Sequence, residues 1–319
     1  MDLEKKEYIS KIKSLAKEKN AVIFAHYYTR PEIQEIADFI GDSLALAQQA
    51  TRVDADILVM CGVHFMGETM KILCPDKKVL IPDMNAGCSL ADSCKAEDLK
   101  QFIYQQSSMS NQKYTVVSYV NTTAEVKALT DIVVTSSNAK KIVDQLPKDA
   151  NIIFGPDHNL GAYINSVTGR NMILWNGACH VHSRFSLEAL LQLKKENPGV
   201  EVLAHPECKA PILAQSDVIG STKALLEHTI QSPAKRFIIA TESGILFEMQ
   251  RACPDKEFIT VPPEMTEGVG CSCNECEYMR MNTLEKVYNC LLNESPEMQV
   301  KKETAEKAVS AIRRMLEMS

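Results

Sequence analysis

A chain of 319 residues that is 45% hydrophobic and 24% charged has a globular composition, which excludes a disordered or fibrous protein. Its 35 Lys and Arg against 41 Asp and Glu give a formal net charge of −6, so no general nucleic-acid or anionic-membrane surface is expected. No run of ~18 uninterrupted apolar residues offers a transmembrane helix, and the charged start Met1-Asp2-Leu3-Glu4-Lys5-Lys6 lacks the apolar stretch of a secretory signal, so a cytoplasmic protein is expected.

The elements follow a pattern that recurs three times. An amphipathic helix near residues 3–19 comes first, then a strand at 22–26 and a short helix at 31–37. Asp38-Phe39-Ile40-Gly41-Asp42-Ser43 is a brief strand running into a helix at 44–50. A third strand at 56–60, a third helix and a last strand at 78–81 lead to Cys88. The order returns after a helix near 96–106, with strands at 116–119, 131–136, 151–154 and 171–174, helices at 123–129 and 138–146, and then Cys179. It returns again after a helix near 187–196, with strands at 202–205, 217–222, 236–240 and 257–261 and helices at 210–215 and 223–230. Cys271, Cys273 and Cys276 follow, and a final helix is expected near 297–318.

Strands alternating with short helices argue for parallel α/β units. Length alone suggests about two domains; the repeat points to three. The expected fold is α/β, with three pseudo-threefold-related three-layer αβα domains, each with a short parallel sheet, around a central active site. Their bounds are 1–90, 91–181 and 182–280, followed by a C-terminal helical segment 281–319 whose helix 296–319 is expected against the first repeat. Ligands in such sheets bind beyond the carboxyl ends of the strands.

The 11 cysteines are too scattered for the disulfide framework of a small secreted domain. Cys61, Cys74 and Cys253 end apolar segments and read as core thiols. Cys88, Cys179 and the 271–276 cluster lie beside or near glycine, where backbone can approach a ligand closely. A structural zinc wants four ligands, and the C-x-C-x-x-C run offers three with no histidine nearby. One cysteine from each repeat leaves an iron–sulfur cubane one protein ligand short, which gives an iron free to act as a Lewis acid. A local zinc knuckle or redox pair within 271–276 stays open as an alternative. The chain has no C-x-x-x-C-x-x-C run for radical chemistry, no G-x-x-x-x-G-K-[ST] and no G-x-G-x-x-G.

The first-strand ends carry His26, Tyr119 and His205 in register, followed two positions later by Tyr28, Asn121 and Glu207. A lone histidine at a strand end is usually structural; six matched polar residues favour proton transfer near neutral pH. The second-strand ends carry Ser43, Ser136 and Ser221 with Thr222. Such hydroxyls cap helices, and three helix starts facing one cavity would also hold anions. His180 and His182 are expected on one side of an extended segment, at most supporting residues that touch.

At these residues the sequence resembles the quinolinate synthase family of bacterial and archaeal NAD biosynthesis. The resemblance is carried by Ala25-His26-Tyr27-Tyr28, Ile36-Ala37-Asp38-Phe39-Ile40-Gly41-Asp42-Ser43 and Tyr119-Val120-Asn121-Thr122-Thr123. It continues through Phe154-Gly155-Pro156-Asp157, Asn159-Leu160-Gly161, Asn176-Gly177-Ala178-Cys179, His205-Pro206-Glu207-Cys208 and Met281-Asn282-Thr283-Leu284. It implies three α/β domains around a [4Fe–4S] cluster held by Cys88, Cys179 and Cys276, with Cys271 and Cys273 as accessories. The implied reaction condenses iminoaspartate with dihydroxyacetone phosphate to quinolinate, releasing phosphate and water. Tyr28 would shuttle protons in the keto–aldo rearrangement, with Glu207 and His205 acting in dehydration. Tyr119 and Asn121 would orient the intermediate. His26, Ser43, Ser136, Ser221 and Thr222 would hold anionic groups. The implied partners are an aspartate-oxidising enzyme that supplies iminoaspartate and the iron–sulfur assembly machinery.

Overall fold

The computed structural model describes residues 2–264 and 274–319, so Cys271 and Cys273 lie outside the described residues. Among the described residues, twelve strands form three parallel sheets. The first holds β1 (Ala21–His26), β2 (Phe39–Gly41), β3 (Ile57–Cys61) and β4 (Lys78–Leu80). The second holds β5 (Thr115–Tyr119), β6 (Ile132–Val134), β7 (Ile152–Gly155) and β8 (Ile173–Leu174). The third holds β9 (Glu201–Ala204), β10 (Val218–Ile219), β11 (Arg236–Ala240) and β12 (Glu257–Thr260). Every sheet has the same order, with the unit's second strand at one edge, then its first, third and fourth. The chain leaves the first strand toward one edge and the third toward the other, so a crevice opens beyond their carboxyl ends.

The middle strands are continuous apolar runs because helices cover both faces. All five residues of β3 are buried, as are Phe237 to Ala240 of β11. One aspartate per unit fixes strand pairing. Asp38, Asp131 and Asp217 stand just before the second strands, and each carboxylate accepts an amide of the neighbouring first strand, from Ile23, Val116 and Val202, at 2.8 Å. The aspartates' own amides donate back to those same three residues. This pins the end of each sheet away from the crevice.

The helix Lys302–Met318 buries Ala308, Ala311, Ile312 and Met315, the spacing of one helical face. It packs on the helix His64–Leu73 of the first unit and on β6 and the helix Ala124–Lys127 of the second. The helix lies on the first repeat and on the second as well, because its apolar face meets a seam between them. The helix Leu284–Asn293 instead packs on the helix Asp2–Glu18. Among the described residues no helix is long and apolar enough to cross a membrane.

Candidate active site

His26 ends β1, Tyr119 ends β5 and His205 directly follows β9. These three, with Tyr28, Asn121 and Glu207, line one cleft with about 730 Å³ of empty space. The two histidines are built alike. His26 Nδ1 accepts the Tyr28 amide at 3.2 Å, and His205 Nδ1 accepts the Glu207 amide at 3.4 Å. Each ring therefore keeps its proton on Nε2. Burial holds His26 down at about 4 and His205 at about 3, so both are neutral near pH 7. His205 Nε2 lies 3.2 Å from Ser136 Oγ and donates to it.

Ser43, Ser136 and Thr222 also line the cleft, in matching places after the second strands. They do not share one role. The cap of the first unit's helix is Asp42, which accepts the Ala45 amide, with Ser43 inside the helix. Ser136 precedes its helix, whose cap position is Asn138. Ser221 is a true cap, occupied by the Ala224 amide at 3.3 Å, and does not line the cleft. The expectation of three equivalent capping serines is corrected on that geometry.

One hydrogen-bonded chain crosses all three units. The Tyr28 hydroxyl lies 2.8 Å from Thr222 Oγ1 and 3.0 Å from Thr241 Oγ1. Thr241 Oγ1 lies 2.9 Å from His182 Nε2, and His182 Nδ1 lies 3.0 Å from Glu207 Oε2. The Tyr119 hydroxyl donates to Glu207 Oε1 at 2.5 Å. Burial works against ionisation of Glu207, but His182 and His205 together with the His182 and Tyr119 hydrogen bonds outweigh it and hold the carboxyl at about 2. Burial pushes both phenols well above their usual range, so Tyr28 and Tyr119 are proton donors at neutral pH. His182 was expected only as a supporting residue on an extended segment. It opens a 3₁₀ turn, His182–Arg184, that carries its ring into the centre of this chain. His180 instead meets Ser89 Oγ at 2.6 Å. Thr241 carries no metal-like or catalytic spacing, and the sequence reading missed it.

Cys88, Cys179 and Cys276 are half-buried and line the same cleft, whereas Cys61, Cys74, Cys94, Cys208, Cys253 and Cys290 are buried. Each of the three precedes a short helical turn whose first amides point back at its sulfur: Leu90 and Ala91 for Cys88, His182 for Cys179, Tyr278 and Met279 for Cys276. A backbone bond then recurs in every unit. The residue that opens the helix after the third strand donates its amide to the carbonyl two positions before the cysteine. The pairs are His64 to Ala86 at 2.7 Å, His158 to Gly177 at 2.7 Å and Ser243 to Asn274 at 3.1 Å. By this bond Cys276 is the structural equivalent of Cys88 and Cys179. Gly177 must be glycine, because a Cβ there would lie 2.6 Å from the Pro156 carbonyl. Burial pushes the Cys88 thiol up to about 11 and Cys276 to about 12, and Cys179 is raised further by Glu207 and by the other two thiols. Three gathered sulfurs that resist ionisation together suit a bound metal cation, whose charge would offset the thiolates, and backbone amides aimed at sulfur would support such ligands. Cys179, His182 and Glu207 form a second donor set, their ligand atoms within 4.8 Å of one another.

A family model described as the quinolinate synthetase A protein matches residues 10–317. The chain belongs to that family. Quinolinate synthase of a Synechococcus strain is 52% identical over 308 residues, covering 97% of this chain and 94% of the relative. The enzyme of Microcystis aeruginosa is also 52% identical with the same coverage. That of Chloroherpeton thalassium is 49% identical over 319 residues, covering 100% of this chain and 97% of its own. The quinolinate synthase relatives make this chain an enzyme acting on small molecules, and the cleft described above is where its candidate groups meet.

Proposed function

We propose that this enzyme condenses iminoaspartate with dihydroxyacetone phosphate, releasing phosphate and two waters to leave quinolinate. It would thus serve cytoplasmic NAD biosynthesis as a condensing transferase with dehydratase chemistry. The observation that carries this reading is the meeting of three equivalent cysteine loops and six matched strand-end residues in one cleft of a chain of this family. Three domains, 1–90, 91–181 and 182–280, each give one cysteine, and the segment 281–319 supports them. Cys88, Cys179 and Cys276 would hold a [4Fe–4S] cluster, which when bound supplies Lewis acidity for dehydration.

The remaining chemistry belongs to the chain's own residues. Tyr28, a neutral phenol joined to Thr241 and His182, donates and retrieves a proton during the keto–aldo rearrangement. Glu207, ionised at neutral pH, takes a proton while His205 supplies an Nε2–H to an oxygen. Tyr119 and Asn121 orient the intermediate. His26, Ser43, Ser136 and Thr222 offer donors to carboxylate and phosphate oxygens; Ser221, which caps its helix, is left out because it does not line the cleft. An aspartate-oxidising enzyme would supply the unstable imine, and iron–sulfur assembly proteins the cluster.

The test is an anaerobic assay with both substrates on protein carrying about four irons and four sulfides per chain. Quinolinate should form only when both are present. Cluster-loaded protein that forms none would overturn the reading. The Cys179–His182–Glu207 set supports a second reading, a single metal ion. That predicts stoichiometric zinc, no sulfide and tolerance of Cys88→Ala.

A further inference from the structure

The three cysteine loops share one backbone frame but differ in what holds the cysteine itself. The position before the helix that follows the third strand is Val63 in the first unit, Asp157 in the second and Glu242 in the third. Val63 is an apolar cap with no side-chain hydrogen bond. Asp157 and Glu242 are fully buried. One oxygen of each does ordinary capping: Asp157 Oδ1 accepts the Leu160 amide at 2.7 Å, and Glu242 Oε2 accepts the Gly244 amide at 2.6 Å. The other oxygen reaches across to the cysteine. Asp157 Oδ2 accepts the Cys179 amide at 3.1 Å, and Glu242 Oε1 accepts the Cys276 amide at 2.9 Å.

Capping alone does not need a buried carboxylate, since a serine or threonine caps as well and costs less to bury. A carboxylate offers two acceptor oxygens at a fixed separation, and here both are used. The Glu242 clamp is also tied to the reaction side of the cleft. A Cβ on Gly244 would lie 2.7 Å from the Tyr28 Cα, so the turn held by Glu242 rests directly on the Tyr28 backbone.

We propose that Asp157 and Glu242 are positioning residues for the metal centre, each fixing the backbone of one ligating cysteine, while the Cys88 loop has no such clamp. This inference rests on the three-cysteine reading given above. An amide substitution tests the effect, most cleanly at Asp157, because Glu242 Oε1 also faces Arg280 Nη2 at 3.5 Å. Asp157→Asn or Glu242→Gln keeps size and one acceptor but turns the other oxygen into a donor, setting N–H against N–H.

The experiment uses anaerobically reconstituted protein and follows iron transfer to a chelator, with backbone amide exchange read on the peptides holding Cys179 and Cys276. Each variant should release iron roughly tenfold faster than the wild type, the scale of lost support around metal ligands. Exchange should quicken at Cys179 alone in Asp157→Asn and at Cys276 alone in Glu242→Gln. Ile142→Ala, a core change in the helix Ala139–Gln145, controls for general loss of stability. Variants that match the wild type, or differ only as Ile142→Ala does, overturn the inference while the cluster reading stands. A wild type that takes up no cluster overturns that reading and this inference with it. If Asp157→Asn folds poorly, Glu242→Gln carries the same test at the other loop.

Discussion

The Tyr119 hydroxyl donates to Glu207 Oε1 at 2.5 Å, joining the second unit's first strand to the loop after the third unit's. Glu207 Oε2 is already engaged by His182. Both carboxylate oxygens are thus fixed, and the carboxylate is aimed by partners from two other segments. Tyr119→Phe should lower quinolinate formation by about 10²-fold or more, the scale of a lost proton-transfer partner. Iron and sulfide content should not change. Near-normal turnover with an intact cluster would remove Tyr119 from the machinery.

Tyr28→Phe removes a hydroxyl shared with Thr222 and Thr241. The ring stays packed, so the fold and the cluster should survive. Turnover should drop by about 10²–10⁴-fold. The matching measurement is the same anaerobic assay beside an iron determination on one preparation.

The recurring backbone bond makes Cys276 the counterpart of Cys88 and Cys179, and the proposed function takes it as the third ligand. Cys276→Ser should lose the brown colour and most iron and sulfide. Cys271→Ser and Cys273→Ser should retain both. A colourless Cys271→Ser protein beside a brown Cys276→Ser protein would reverse the assignment.

Acid should destabilise the fold through His26. Its pKa is about 4 when folded and ~6.5 in an unfolded chain, so below pH 6.5 the unfolded state binds the extra proton. The stabilisation is complete above pH 6.5 and is lost as pH falls toward 4. Glu242 works the other way between pH 7 and 4.5, because burial raises its carboxyl to about 7. The comparison that isolates His26 is therefore wild type against His26→Gln. Urea unfolding of cluster-free protein at pH 7.5 and pH 5 should show the wild type losing about 2 kcal/mol more than the variant. Parallel pH profiles would show that His26 does not contribute.

The threefold repeat was legible because each copy spells the same short strands and an aspartate before the second one. The six strand-end residues were legible for the same reason, since register places them in the cleft once the strands are known. The serines misled because Ser43, Ser136 and Ser221 look alike in a string while only one sits at a helix cap. His182 was hidden by one turn of 3₁₀ helix that no residue pattern announces. Asp157 and Glu242 were hidden differently. Their caps could be guessed, but the second oxygen reaches a cysteine 22 and 34 positions away, which only the folded loops bring near.

The paired aspartates Asp38, Asp131 and Asp217 have a consequence for how such a molecule can change. They anchor strand recognition at the end of each sheet remote from the cleft. At the opposite rim the strands pair through their backbones, as His26 does with Gly41 and Tyr119 with Val134, which leaves the side chains there free to differ. The three units differ there, one carrying histidine and tyrosine, one tyrosine and asparagine, one histidine and glutamate, while still assembling by a shared rule. A single foundation thus supports a workspace whose three walls carry different tools.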